Sequence, residues 1–90
     1  AEAVAYAIPR LCPQPIAPQA TPLGVTERSR ALPRDYIRCT EDRTIPPEYQ
    51  VTMTEGWPAH RVHAMRTGHS PFFADPQGLA RLLHHIAGAE

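Results

Sequence analysis

Residues 35–56 read DYIRCTEDRTIPPEYQVTMTEG, in which a predicted strand is followed closely by a predicted helix. DYIRCT, residues 35–40, is a run of β-favouring residues preceded by Pro33 and followed by a polar turn, which predicts a strand that ends near Thr40. After the turn, paired prolines suit the first turn of a helix, and Gly56 can end this helix about two to three turns later.

The second half of the chain repeats the order of strand and helix. HRVHAMR, residues 60–66, predicts a second strand, and TGHSPFF, residues 67–73, predicts the loop after it. Asp75 can cap a final helix that has Pro76 at its first position. Four apolar residues then recur at helical spacing along one stripe, namely Leu79, Leu82, Leu83 and Ile86. The sequence therefore predicts an α/β fold with the order strand, helix, strand, helix.

This topology brings two loops to one edge of the predicted sheet. Two strands joined by a helix are normally parallel with a right-handed crossover, so the loops that follow the strands leave the same carboxyl edge. Ligand sites of open α/β sheets lie at that edge. Asp42 lies in the first of these loops and His69 in the second. We therefore expect the two side chains to meet.

The first third of the chain differs from the rest because six of the 11 prolines lie in its first 33 residues. Each proline fixes φ and removes a hydrogen-bond donor, so residues 1–32 are predicted to be extended coil. The opening AEAVAYAI is similar to the end of a helix, and it is too short to span a bilayer and lacks the basic region of a signal peptide. We expect no membrane partner and a cytoplasmic location.

Charge and composition argue against a nucleic-acid partner. Nine acidic and nine basic residues cancel, and no basic run that could follow a phosphate backbone is present. All nine basic residues are Arg, which together with abundant Ala and Pro is typical of a GC-rich bacterial coding sequence.

The cysteines and histidines form no metal or redox motif. The spacing of Cys12 and Cys39 fits neither a CxxC motif nor a zinc knuckle, so both thiols are expected to be structural and reduced. His60 and His63 fall on opposite faces of the predicted strand, and the adjacent His84 and His85 diverge on the final helix. The sequence predicts neither a metal nor a cofactor.

Two stretches of the chain resemble a known family. PRDYIRCTEDRTIPPEYQ, residues 33–50, and GHSPFFADPQGLARLL, residues 68–83, resemble the C-terminal end of α/β-hydrolases. The resemblance is to the branch that holds plant methylesterases, hydroxynitrile lyases and bacterial esterases. It implies that residues 33–90 are the last strand-helix-strand-helix unit of an α/β-hydrolase parallel sheet. Residues 1–32 would then link the cap region to the core.

The resemblance also implies two site residues, with Asp42 as the acid of a catalytic triad and His69 as its base. Glu41 and Asp35 remain alternatives for the acid, and Asp42 could instead be a turn residue that caps the following helix. In a triad the imidazole takes the proton of a serine hydroxyl, and the carboxylate holds the ring in the productive tautomer.

The nucleophile is not assigned to either serine of the chain. In this fold the serine precedes the acid and the histidine, and it lies on a Gly-x-Ser-x-Gly elbow. Ser70 follows His69 and has Phe72 where the second glycine should be, and Ser29 has no elbow. The nucleophile is therefore expected in an upstream segment or in another chain.

The resemblance implies that the chain is the C-terminal portion of a serine esterase that acts on a small-molecule carboxylic ester. Ser70 stands where hydroxynitrile lyases usually carry a lysine, which favours ester hydrolysis over cyanohydrin cleavage. Two short parallel strands leave faces and edges uncovered, so residues 1–90 are not expected to fold alone. The predicted partner is the rest of the hydrolase core. The alternative is a non-catalytic module, derived from an α/β-hydrolase, that binds or stabilises a partner.

Overall fold

The computed structural model describes residues 1–88. The chain forms two compact units, Ala1–Leu32 and Pro33–Glu90. No helix in the described residues has the length and apolar character needed to cross a membrane.

The first unit contains short helices. The helix predicted at the opening AEAVAYAI is present, whereas the extended coil predicted for residues 1–32 is wrong where a 3₁₀ turn and two further helices form. Helix α1 covers Glu2–Ala7, a 3₁₀ turn covers Ile8–Arg10, and α2 and α3 cover Ala17–Ala20 and Glu27–Arg30. The physical reason is the position of the prolines, because the 3₁₀ turn and α2 each have one in their first turn. A proline there removes only an N–H group that the helix leaves unpaired anyway.

The second unit has the predicted α/β order. Strand β1, Tyr36–Cys39, is followed by α4, Pro47–Met53, and by strand β2, Val62–Met65. The strands form a parallel two-stranded sheet in which Tyr36 is opposite Val62 and Cys39 is opposite Met65. Helices α5, Pro71–Ala74, and α6, Pro76–Gly88, follow.

Both strands are shorter than predicted. Residues 59–61 form a 3₁₀ turn before β2, because the N–H of Arg61 donates to the carbonyl of Pro58 (2.9 Å). At the carboxyl end of the sheet, the segments that follow β1 and β2 stay paired beyond the strands. Thr40 donates its N–H to Met65 (3.0 Å) and Glu41 donates to Thr67 (3.0 Å). These bonds hold the two following loops side by side.

Helix α4 begins at the predicted pair of prolines and ends at Met53, shortly before the predicted stop at Gly56. Pro46 is extended (ψ 141°), and its carbonyl accepts the N–H groups of Tyr49 (2.9 Å) and Gln50 (3.1 Å). Beyond the helix, Gly56 adopts a φ of 82°, a left-handed conformation that glycine enters without a steric penalty. This turn directs the chain back toward β2.

The loop predicted over residues 67–73 is partly helical, so this expectation was wrong for its second half. Pro71 lies in the first turn of α5, and the carbonyl of Ser70 accepts the N–H groups of Phe73 (3.0 Å) and Ala74 (3.1 Å). The predicted cap of α6 is confirmed, because the Asp75 carboxylate accepts the N–H of Gly78 (2.9 Å).

The apolar core of the described residues is very small. Cys39 and Met65 are its buried hydrophobic members, and both end a strand. Leu83 of the α6 stripe is 50% exposed, and Tyr49, Val51 and Met53 of α4 are exposed as well. Two elements therefore present apolar side chains that nothing in residues 1–88 covers.

Candidate active site

The loops that follow β1 and β2 bring Asp42 and His69 into contact. Nδ1 of His69 lies 2.9 Å from Oδ2 of Asp42, which is a normal hydrogen-bond length. The Asp42 side chain is 3% exposed, whereas the His69 side chain is 50% exposed. The site thus has a buried acid and a half-exposed histidine.

Backbone N–H groups of the turn after β1 hold one oxygen of the Asp42 carboxylate. Oδ1 accepts the backbone N–H groups of Thr44 (2.8 Å) and Ile45 (3.0 Å). Asp42 is therefore a turn residue, although the turn precedes α4 and the carboxylate does not cap it. Because the turn uses Oδ1, Oδ2 is left to face His69. Asp42 can therefore hold the turn and contact His69 at the same time.

The hydrogen bonds around Asp42 favour its ionised form. Burial raises the pKa of this carboxyl, but the His69 hydrogen bond and the N–H groups of Ile45 and Thr44 outweigh it and hold the pKa below its ordinary value. An ionised carboxylate only accepts, so Nδ1 of a neutral His69 must carry the proton. Nε2 is then an unprotonated acceptor, and it makes no hydrogen bond within residues 1–88. That nitrogen can act as a general base.

Gln50 is a member of the site that the sequence interpretation missed. It is 2% exposed, and its Nε2 lies 3.3 Å from Oδ2 of Asp42. Nε2 also donates to the carbonyls of Ile45 (2.7 Å) and Cys39 (3.2 Å), while Oε1 accepts the N–H of Cys39 (2.8 Å). The only sequence signal is a glutamine in the first turns of the helix that follows the predicted acid.

The two alternative acids lie elsewhere. Asp35 precedes β1 and pairs with Arg61 (2.8 Å) and His63 (2.9 Å), so it belongs to the amino end of the sheet. The hydrogen bonds from His63 and Arg61 lower the pKa of Asp35. Glu41 is exposed and pairs with Arg66 (3.2 Å). Among the three carboxylates, Asp42 is the one that contacts His69.

Neither serine lies on an elbow. Ser70 precedes α5 with a φ of −122°, and within residues 1–88 no residue other than glycine has a positive φ. The strained turn of a nucleophile elbow is thus not found at Ser70. Ser29 lies in the first unit, where its hydroxyl donates to the carbonyl of Thr26 (2.8 Å).

The histidines outside the site are not grouped for metal binding. His63 is paired with Asp35, and within residues 1–88 no group of three or more histidine, cysteine or carboxylate side chains is placed to hold a metal ion. The cysteines differ in environment, because Cys39 is buried at the end of β1 and Cys12 is exposed.

Comparison with known proteins places these motifs in a family. The putative chloroplastic methylesterase 15 of Arabidopsis thaliana is 36% identical over 87 residues, which are 93% of this chain and 20% of that protein. Methylesterase 17 of the same plant is 42% identical over 52 residues, or 58% of this chain and 19% of that protein. The chain belongs to the α/β-hydrolase family.

This α/β-hydrolase chain spans about a fifth of the length of the curated relatives it matches. A third relative, the putative chloroplastic methylesterase 11 of Arabidopsis thaliana, is 35% identical over 75 residues, which are 81% of this chain and 19% of that protein. These relatives are plant proteins, and a bacterial origin of this chain stays a prediction. No protein-family model matches the chain, and no solved structure is significantly similar to it.

Proposed function

We propose that this chain supplies the acid and the base of a serine esterase, with Asp42 and His69 in these roles. The observation that carries the proposal is the 2.9 Å hydrogen bond between a buried, ionised carboxylate and a half-exposed imidazole. The similarity to methylesterases supports the same chemistry. The serine nucleophile lies outside residues 1–90, in an upstream segment or in another chain.

The proposed reaction uses His69 twice. Nε2 takes the proton of the serine hydroxyl as its oxygen attacks the ester carbonyl, and the same proton then passes to the departing alcohol. A water molecule next attacks the acyl-enzyme, gives its proton to Nε2, and releases the acid while the serine regains a proton. In both steps Asp42 stabilises the imidazolium and stays ionised, which agrees with its lowered pKa.

The second unit is proposed to be the last strand-helix-strand-helix part of a larger parallel sheet. Thr40 bonds to β2, and alternate residues of a strand direct their backbone groups to opposite edges, so those of Ile37 and Cys39 face away from β2. Gln50 takes up the groups of Cys39. The backbone N–H and carbonyl groups of Ile37 remain available to pair with another strand. We infer that this strand, and the elements that cover α4 and α6, belong to the rest of the hydrolase core.

The substrate class follows from the relatives and from the site. The matched proteins are named methylesterases, so we propose a small carboxylic ester with a small alcohol group, such as a methyl ester. The half-exposed His69 leaves Nε2 accessible for such a substrate and for the nucleophile.

The experiment compares the complete protein that contains this chain with residues 1–90 alone. We expect the complete protein to hydrolyse a chromogenic activated ester and the isolated chain to be inactive. Replacing His69 with Ala should remove most of the rate and leave only what the oxyanion hole and binding supply. A complete, folded protein without esterase activity would instead favour the non-catalytic module, and full activity of the His69→Ala variant would reject the proposal.

A further inference from the structure

The burial of Gln50 calls for a reason other than packing. Gln50 is 2% exposed and is the largest fully buried side chain of the described residues. A buried amide costs free energy unless it is hydrogen-bonded, and an apolar side chain of similar size avoids that cost. Both ends of this amide are bonded. The hydrogen bonds of the amide therefore explain why a polar side chain is buried at this position.

These bonds connect three segments that set the place of the acid. Oε1 and Nε2 hold the backbone of Cys39 at the end of β1, and Nε2 also holds the carbonyl of Ile45 at the end of the turn. The fourth bond reaches Oδ2 of Asp42, which lies between Cys39 and Ile45 in sequence. One side chain thus braces both ends of the turn and its carboxylate.

The contact with Oδ2 has a consequence for His69. Thr44 and Ile45 hold Oδ1, while Gln50 and His69 share Oδ2, so both carboxylate oxygens are constrained. Rotation of the carboxylate would break bonds at both oxygens. The carboxylate is therefore held with Oδ2 directed at Nδ1 of His69.

We propose that Gln50 is a positioning residue for the acid, acting through Asp42 on the orientation and tautomer of His69. The inference rests on the proposed function, because it concerns the same acid and base. It assigns a role to a buried residue that contacts the acid and not the base.

The kinetic test uses two variants of the complete protein and a matched control. Gln50→Met removes the amide, and we expect kcat to fall about 100-fold with KM almost unchanged, because a small misplacement of catalytic groups costs that much. Thr54→Val is the control, since Thr54 directly follows α4, is also buried, and donates its hydroxyl to the carbonyl of Gln50 (2.9 Å) without contacting Asp42. Its kcat should be unchanged even if its stability falls.

Gln50→Glu separates positioning from a purely structural role. The glutamate carboxyl would lie beside the ionised Asp42 and face the carbonyls of Ile45 and Cys39, so it is expected to be protonated. Its single O–H can replace only part of the bonds of the amide, and we expect a kcat between those of the native protein and of Gln50→Met, with KM almost unchanged. A native kcat in folded Gln50→Glu and Gln50→Met variants would overturn the proposal.

A spectroscopic measurement tests the inference without catalysis. The ring ¹⁵N shifts of His69 report which nitrogen carries the proton, and we expect the Nδ1–H form in the native protein and a mixture in Gln50→Met. If the tautomer and kcat of Gln50→Met both equal those of the native protein, the inference is wrong. If instead His69→Ala keeps the full rate, the proposed function fails, while the ring shifts still decide the role of Gln50.

Discussion

Replacing Asp42 with Asn tests the acid, because the two side chains have the same shape and differ in hydrogen bonding. Oδ1 of Asp42 accepts two backbone N–H groups, and Oδ2 accepts from Gln50 and His69. Asparagine has one acceptor oxygen and one NH₂ group. In either orientation its NH₂ group therefore faces two donors that have lost their acceptor.

The structure indicates which orientation asparagine adopts. The backbone N–H groups of Thr44 and Ile45 cannot change, whereas an imidazole can move its proton. The amide oxygen should therefore stay at the Oδ1 position, with the NH₂ group facing Nδ1 of His69. Nδ1 must then accept, and the ring proton moves to Nε2, the nitrogen that has to take the serine proton. In a serine-protease triad this wrong tautomer costs about 10⁴-fold in kcat, and we expect a similar loss here.

The assay is steady-state hydrolysis of an activated ester by the complete protein, with circular dichroism to establish that each variant is folded. Asp35→Asn is the matched control, because Asp35 is also a paired carboxylate of this sheet but binds Arg61 and His63 at the opposite end. Its kcat should equal that of the native protein. A folded Asp42→Asn variant with kcat within about tenfold of the native value would refute the role of the acid.

Two further predictions concern folding. Residues 1–90 expressed alone should exchange amide protons rapidly and melt without a sharp transition, because the buried apolar core of the described residues consists of Cys39 and Met65; strong amide protection would contradict this. Acid should destabilise the complete protein, because folding lowers the pKa of Asp35 and of Asp42. Such a carboxyl stabilises the folded state at pH values above its unfolded pKa, near 4, and this contribution is lost as the pH falls through the pKa of the folded state. In urea titrations at several pH values, the free energy of unfolding should fall less steeply with acid in the Asp35→Asn, Asp42→Asn double variant than in the native protein. An unchanged pH dependence would show that other groups cause the acid destabilisation.

The α/β order and the meeting of Asp42 with His69 could be predicted from the sequence because both depend on local signals. Pro47 and Gly56 frame α4, and a strand-helix-strand connection places the following loops at one edge. The two loops then need only a few further backbone bonds, those of Thr40 and Glu41, to come into contact.

Gln50 could not be found in the same way because its environment reverses the usual pattern of burial. Its neighbours Tyr49 and Val51 are 56% and 52% exposed, while the polar residue between them is 2% exposed. Hydrophobic patterning assigns glutamine to the surface. The reversal arises because Gln50 replaces a strand partner of Cys39, a tertiary contact that no local spacing records.

The short helices α2 and α5 could not be predicted for a related reason. Proline disrupts a helix from inside but is tolerated in its first turn, so a proline in the sequence does not by itself exclude a helix. In α2 and α5 it falls in the first turn. A four-residue helix has too few positions for its periodicity to be recognised in sequence.

The proposed function requires that His69 serves a serine that lies outside this chain. The most direct measurement treats the complete protein with a fluorophosphonate probe of serine hydrolases and locates the modified residue by peptide mass spectrometry. We expect a single modified serine outside residues 1–90, with labelling that is slowed strongly in the His69→Ala variant. A modification at Ser70 or Ser29, or labelling at the same rate without His69, would contradict this role of His69.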